Sequence, residues 1–273
     1  MIDTHVHLVS ADEARYPLQP TPLSGPWYRE APCSAERFLA LMDEAAVARA
    51  VLVQPIGAYS HDCSYAADSA AAHPERLVGV CSIDPDGPDP LGRLDHWVRE
   101  RGMRGVRLLA LSQGASWLAE PRTFPLWERA SELGARVVVT VFFHQLGELD
   151  AILRRFPEVP VALDHCGFPP ASGGELEPLL ALAAHRNLHC KISSHVLEAA
   201  ERTGDPRGLV SKLVAAFGAQ RVMWGSDFSQ THDRPYAALA ALGRHAFAGL
   251  TVEEQASCLA GSAERLWFPR AAT

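Results

Sequence analysis

The chain is predicted to fold as a single-domain (β/α)8 TIM barrel, possibly slightly distorted, on three observations: its length, a repeated alternation of strand and helix signals, and no domain-splitting linker. At 273 residues it is near the roughly 250 typical of this fold. Hydrophobic residues make up 48% and charged residues 21%, so enough apolar surface is available to offset the entropy lost on ordering. Short apolar, β-branched runs recur with helical stretches between them, as a parallel sheet wrapped by helices requires. Residues 1–273 are read as one domain.

Eight runs are strand candidates: Ile2 to His7, Ala50 to Gln54, Leu77 to Ile83, Gly105 to Leu109, Arg136 to Phe142, Val159 to His165, Leu188 to Ser193 and Val222 to Asp227. Between them, Ser34 to Ala48 is a helix candidate with Ser34 as N-cap. Leu146 to Phe156 places Leu146, Leu149, Ile152 and Leu153 on one face, the helical period. A final helix follows Thr251, whose partner Glu254 three residues on completes a capping-box pattern. One connection is anomalous. Residues 9–33 form a first βα loop far longer than usual, with Pro17, Pro20, Pro22, Pro26 and Pro32 around Trp27 and Tyr28, and in a barrel such a loop lies over the active-site face.

Composition excludes several roles. Lys and Arg total 25 against 32 Asp and Glu, a formal net charge of -7, which disfavours a nucleic-acid partner. The six cysteines show no C-x-x-C pair and no regular spacing, so reduced, buried thiols are expected rather than a zinc knuckle or disulfide framework. No apolar run approaches the ~18 residues of a membrane span and no signal-peptide pattern precedes the first strand, so no membrane contact and a cytoplasmic location are expected. The sequence leaves the oligomeric state open, a homodimer included.

Chemistry concentrates at predicted strand ends. His5 and His7, two apart in IDTHVHL, point to the same side of a strand. Two such imidazoles can ligate a divalent cation or donate hydrogen bonds to a substrate carbonyl. His165 ends the sixth run, Asp227 the eighth and Arg107 the fourth, while Lys191 lies in the seventh. A charged residue in a barrel strand is costly unless paired or used, so their convergence on one rim marks a site. Lys191 has two readings: a carboxylate-binding group, or a salt bridge with Asp164 or Asp227. Gln54, Trp27 and Tyr28, with Tyr59 or His61, are candidates to line the pocket. His144, His195 and His232 also follow strands but read more simply as surface histidines.

The segments IDTHVHL, RRFPEVPVALDHCG, CKISS and VMWGSDF, in this order, resemble the amidohydrolase-related family, in particular its branch of sugar-acid lactonases and 2-pyrone-4,6-dicarboxylate lactonase. The resemblance covers nearly the whole chain. It implies that His5, His7 and His165 surround a scissile carbonyl and that Asp227 is the general base. It also implies that Arg107 holds a substrate carboxylate, for which its planar fork is suited; an internal ion pair with a barrel carboxylate is the competing account of Arg107. Metal-dependent members of the wider superfamily place a further His or a carboxylated Lys in strand 5, where this chain has VVVTVFF, with Thr140 or Phe142 at that position and His144 beyond it. This favours a site that requires no cofactor. The alternative is a single divalent cation such as Zn2+ on His5, His7 and Asp227.

The leading expectation is hydrolysis of a lactone or related cyclic ester of a small anionic molecule by Asp-activated water. A metal-dependent decarboxylase of an aromatic or unsaturated acid is the alternative. A barrel that has lost catalysis and only binds is a third reading, disfavoured because His5, His7, His165 and Asp227 are all present.

Overall fold

Residues two apart on a strand face the same way, and this alternation gives the barrel an inner and an outer core. In the computed structural model, which describes residues 1–23, 25–170 and 176–269, eight parallel strands follow one another in chain order. They are β1 (Ile2–Val6), β2 (Arg49–Val53), β3 (Leu77–Ser82), β4 (Gly105–Leu109), β5 (Arg136–Thr140), β6 (Val161–Leu163), β7 (Leu188–Ser193) and β8 (Val222–Gly225). The ring closes between β1 and the residues after β8. There Asp227 N donates to His5 O (2.9 Å) and His7 N donates to Phe228 O (2.6 Å). The predicted (β/α)8 barrel is the observed fold.

Inside the ring, Ile2, Val51, Val53, Val78, Val80, Val138, Ala162 and Met223 pack together with Leu266 and Trp267. These last two come from the terminal helix Ser262–Trp267. They close the end of the barrel where the strands begin: a Cβ on Gly105, the first residue of β4, would lie 3.1 Å from the Trp267 ring. The alternate residues, among them Leu52, Val106, Leu108, Val137, Val139 and Ile192, belong to the larger core shared with the helices.

The helix expected from Ser34 to Ala48 runs Ala35–Glu44, with Ser34 Oγ accepting from Arg37 N (3.3 Å). It stops early because Ala46 adopts a left-handed φ of 52°. Helix Leu146–Arg155 buries Leu146, Leu149, Ile152 and Leu153, and Thr251 and Glu254 form the expected capping box. All six cysteines are buried and unpaired. No helix among the described residues is long and apolar enough to cross a membrane.

Six strands end sooner than their apolar runs, and four of them do so beside functional residues. β1, β5, β6 and β8 stop at Val6, Thr140, Leu163 and Gly225, short of His7, Phe142, His165 and Asp227. For two of them the cause is a left-handed backbone, with φ of 56° at His165 and 61° at Asp227. The segment 9–33 reaches the same rim. It is tied down by Gln19 N donating to Ala58 O (2.8 Å), Thr21 N to Gly57 O (3.2 Å) and the Tyr16 hydroxyl to Asp68 (2.6 Å).

Trp267 is fully buried at the closed end of the barrel, far along the chain from the strands it seals. Trp267→Ala is expected to destabilise the fold by about 3–5 kcal/mol, the usual cost of deleting a buried large aromatic. Urea unfolding checks this, and a loss under about 1 kcal/mol would show that other side chains seal that end.

Candidate active site

The site is built on Asp164, the residue after β6 and wholly buried. Its Oδ1 lies 3.1 Å from Lys191 Nζ and 3.1 Å from His5 Nδ1. Its Oδ2 accepts from Arg107 Nε (2.9 Å) and from Thr140 Oγ1 (2.7 Å). Burial pushes the Asp164 carboxyl up, but Lys191, His5 and Arg107 overcome this and hold it well below the usual carboxylate range. Burial likewise lowers His5 to about 4, so its ring is neutral and carries one proton.

That proton is placed by its neighbours, since the partner of one ring nitrogen decides what the other can do. An ionised Asp164 accepts, so His5 carries its hydrogen on Nδ1 and exposes a lone pair at Nε2. His7 Nδ1 lies 2.8 Å from the Val53 carbonyl oxygen, which can only accept. A neutral His7 therefore also exposes a lone pair at Nε2. The two Nε2 atoms are 3.1 Å apart, and Asp227 Oδ1 is 3.5 Å from the first and 3.4 Å from the second. Three acceptors thus meet, and Asp227 Oδ1 has no hydrogen-bond partner among the described residues.

Such a meeting needs positive charge between the atoms. Tetrahedral zinc bonds of about 2.0–2.2 Å separate ligand atoms by about 3.3–3.6 Å, close to the observed spacings, and nitrogen and carboxylate oxygen are suitable donors. His5, His7 and Asp227 form one of three groups able to hold an ion among the described residues. A second group, which includes Asp164, is committed to Lys191 and Arg107. The arrangement fits the single-cation alternative rather than the expectation of no cofactor. That expectation rested on β5, and there Thr140 does not face the three acceptors but holds Asp164.

Asp227 is gripped from its other side as well. Thr231 Oγ1 donates to Oδ2 (3.3 Å) and His195 Nδ1 lies 3.5 Å from it. Burial pushes this carboxyl up, yet the four imidazoles around it, His195 and His7 first and then His165 and His5, hold it well below the usual range. The His165 ring is 4.8 Å from that of His5 and 4.6 Å from that of His195. Burial holds His165 well below the usual imidazole range, and its buried Nδ1 has no partner among the described residues. Only glycine fits behind His5, for a Cβ on Gly225 would sit 2.8 Å from the His5 Cβ.

A cavity of about 380 Å³ opens above these groups. Arg107, His165 and Asp227 line it, as do His195, Thr140, Gln230 and Thr231, with Leu23, Leu109, Leu111, Phe142 and Phe168 as apolar walls. The structure thus brings His5, His7, His165, Asp227 and Arg107 together. The Nε of Arg107 is bound to Asp164 and Thr140, the internal ion pair weighed from sequence, and the side chain also lines the cavity. Trp27 packs its ring 5.8 Å from that of His7, and Tyr28 packs on Trp27, but neither lines the cavity.

Two expectations need correction. Lys191 is 1% exposed and lies within the barrel beside Asp164, with Trp267 5.6 Å from Nζ, so it is the salt-bridge reading that holds. Gln54 is equally buried and donates to the carbonyls of Ser60 and Asp62 (3.0 and 2.9 Å), bracing a loop. His61 bonds Ser82 and Tyr59 accepts from Ser10 N, both outside the cavity. His144 and His232 are exposed, whereas His195, read as a surface residue, belongs to the site. Its sequence signal was its place directly after β7, level with the ends of the other functional strands.

The chain matches the Amidohydrolase family model over residues 2–268. An L-fucono-1,5-lactonase from Burkholderia ambifaria is 30% identical in a 199-residue alignment covering 69% of this chain and 67% of that protein. A Pseudomonas putida structure assigned as a 2-pyrone-4,6-dicarboxylic acid hydrolase shares the fold with a TM-score of 0.77 at 24% identity, over 98% of this chain and 97% of that one. An amidohydrolase from Burkholderia multivorans with bound zinc shares it with a TM-score of 0.75 at 24% identity, over 98% and 99%. At such identity these two structures speak for the fold alone. The family match and the fold agree, and the chain belongs to the amidohydrolase family.

Proposed function

We propose that this chain hydrolyses a lactone or related cyclic ester of a small anionic molecule, with Asp227 as general base. The observation that carries the reading is the environment of Asp227: an ionised, buried carboxylate with one oxygen facing lone-pair nitrogens and the other held by His195 and Thr231. The lactonase activity of the Burkholderia ambifaria relative favours ring opening over decarboxylation. Six buried, unpaired thiols suit a reducing compartment, and we place the enzyme in the cytoplasm.

In this reading Arg107 orients the substrate by its anionic group at the cavity floor. Asp227 takes a proton from water as the water oxygen bonds to the lactone carbonyl carbon. His165, neutral and lining the cavity, is able to donate to the oxyanion that develops. The ring C–O bond then breaks and Asp227 returns the proton to the leaving oxygen, giving a hydroxy acid. His195, one-third exposed and 3.5 Å from Asp227 Oδ2, keeps the carboxylate aimed during both transfers. A divalent cation held by His5, His7 and Asp227 would supply Lewis acidity to the carbonyl and acidify the attacking water.

Asp227→Asn is expected to lower kcat for lactone opening by about 10²–10⁴-fold with an unchanged circular dichroism spectrum; full activity in a pH-stat assay would remove Asp227 from the role of base. Elemental analysis of purified protein is expected to find about one divalent cation per chain. Chelation should abolish ring opening and added Zn2+ restore it. Protein stripped of metal by the same analysis that kept full activity would return His5 and His7 to metal-free carbonyl polarisation.

A further inference from the structure

β1 does not run regularly, and its irregularity is what aims His5. Asp3 lies opposite Ala50 of β2 and Val6 opposite Leu52, so three steps along β1 match two along β2, the extra residue of a β-bulge. The faces exchange across it. Ile2 packs in the inner core and Val6, four residues on, in the outer one, although an unbroken strand would send both the same way. With Val6 turned outward, His5 and His7 on either side of it turn into the barrel. Without the bulge they would face the helices.

The same strand borders the weakest join in the sheet. From β1 round to β8, neighbouring strands are paired in regular ladders, whereas β8 and β1 share no ladder among the described residues, only the single bridge of Val6 with Phe228 beyond the strand end. His5 and Asp227 stand on opposite sides of this seam. Its width therefore sets their distance.

Asp3 acts on the bulge and on the seam together. Its side chain is wholly buried. Oδ1 accepts from His5 N (3.1 Å), two residues on, which closes the bulge in the manner of an Asx-turn, and also from Ser226 N (2.8 Å), the residue before Asp227. Oδ2 accepts from the Tyr236 hydroxyl (3.1 Å), on helix Tyr236–Phe247. One oxygen thus ties the backbone that carries His5 to the backbone that carries Asp227, beside the direct bond from Asp227 N to His5 O (2.9 Å). Thr4 Oγ1, donating to Trp224 O (2.7 Å), stitches the seam lower down but holds neither residue. Removing the Asp3 carboxylate takes the acceptor from two buried N–H groups at once.

We infer that Asp3 is a positioning residue: by closing the bulge and bridging the seam it turns His5 into the barrel and sets the 3.5 Å between His5 Nε2 and Asp227 Oδ1. It does not line the cavity and acts only through these two residues. Their roles in holding a cation and in catalysis rest on the function proposed above; the spacing that Asp3 sets does not.

Three variants test this. Asp3→Ala removes the acceptor, Asp3→Asn keeps an oxygen for the two N–H groups and turns an amide to the Tyr236 oxygen, and Tyr236→Phe removes only the contact at Oδ2. Zn2+ affinity is read on metal-stripped protein by competition with a chromogenic chelator, beside thermal unfolding. Asp3→Ala is expected to bind Zn2+ about 10–100-fold more weakly than wild type. Asp3→Asn and Tyr236→Phe are expected to stay within about threefold of wild type, the latter despite a lower Tm, which separates positioning from a merely structural role. Zn2+ held by folded Asp3→Ala as tightly as by wild type, or lost equally from Asp3→Asn, would overturn the inference. If Asp3→Ala does not fold, Asp3→Ser takes its place with the same expected loss, since its hydroxyl still accepts from His5 N but is too short to hold Ser226 N as well.

Crystal structures of wild type and the same variant, prepared identically, read the spacing itself. His5 Nε2 and Asp227 Oδ1 are expected to lie about 1 Å further apart in the variant, a displacement able to cost about 10²-fold in rate. An unchanged spacing would overturn the inference whether or not the protein binds Zn2+. In turnover of L-fucono-1,5-lactone the variant should lose about tenfold or more in kcat with KM little changed, because Arg107 is untouched; a raised KM with kcat kept would count against positioning. Wild-type protein that neither binds Zn2+ nor opens the lactone counts against the proposed function, and the crystallographic spacing then decides the role of Asp3.

Discussion

One buried carboxylate organises the catalytic end of this barrel. Asp164 sits where a lone charge would cost several kcal/mol, and it is tolerable because Lys191, Arg107, Thr140 and His5 all address it. The benefit is directional. By fixing the proton of His5 on Nδ1, the carboxylate turns Nε2 into a lone pair, and the Val53 carbonyl does the same for a neutral His7. The chemistry of the two histidines is decided by atoms that never touch a substrate.

The barrel interior is therefore stratified. Trp267 and Leu266 close one end, the valine layer lies above them, and the ion cluster of Lys191, Arg107 and Asp164 supports the rim where His5, His7 and Asp227 meet. Each layer excludes water from the one above, which strengthens the electrostatic contacts. The strands lose their regular pairing at the top layer, where His165 and Asp227 take left-handed backbone angles. That departure lets two consecutive residues, Asp164 and His165, both serve the site, although strand alternation would point them to opposite faces.

Much of this was legible in the sequence, and the rest failed for definable reasons. Alternating apolar runs revealed the eight strands, and the placement of His5, His7, His165 and Asp227 at their ends identified the rim. Periodicity reports which face a side chain occupies but not its depth. Lys191 and Gln54 were accordingly read as pocket residues when they lie beneath or beside it. Asp164 was seen only as a partner for Lys191, because its fourfold role depends on β4, β5, β7 and β1 arriving together. His195 was discounted because single histidines after a strand are usually solvated, and its contact with Asp227 arises from the curl of the chain after β7. Strand 5 offers Thr140, which holds Asp164 rather than an ion, but three protein ligands from other strands are enough for an open cation site.

The double attachment of Arg107 also bears on how this scaffold can change its specificity over evolutionary time. The same guanidinium faces the cavity and steadies the carboxylate that sets the His5 tautomer, so replacing it to suit a new ligand disturbs the reaction machinery at once. Diversification is channelled elsewhere, to Leu23, Leu109 and Leu111, whose exchange leaves the ion cluster whole. A barrel wired in this way keeps its chemistry while its preference for ligands drifts along the rim.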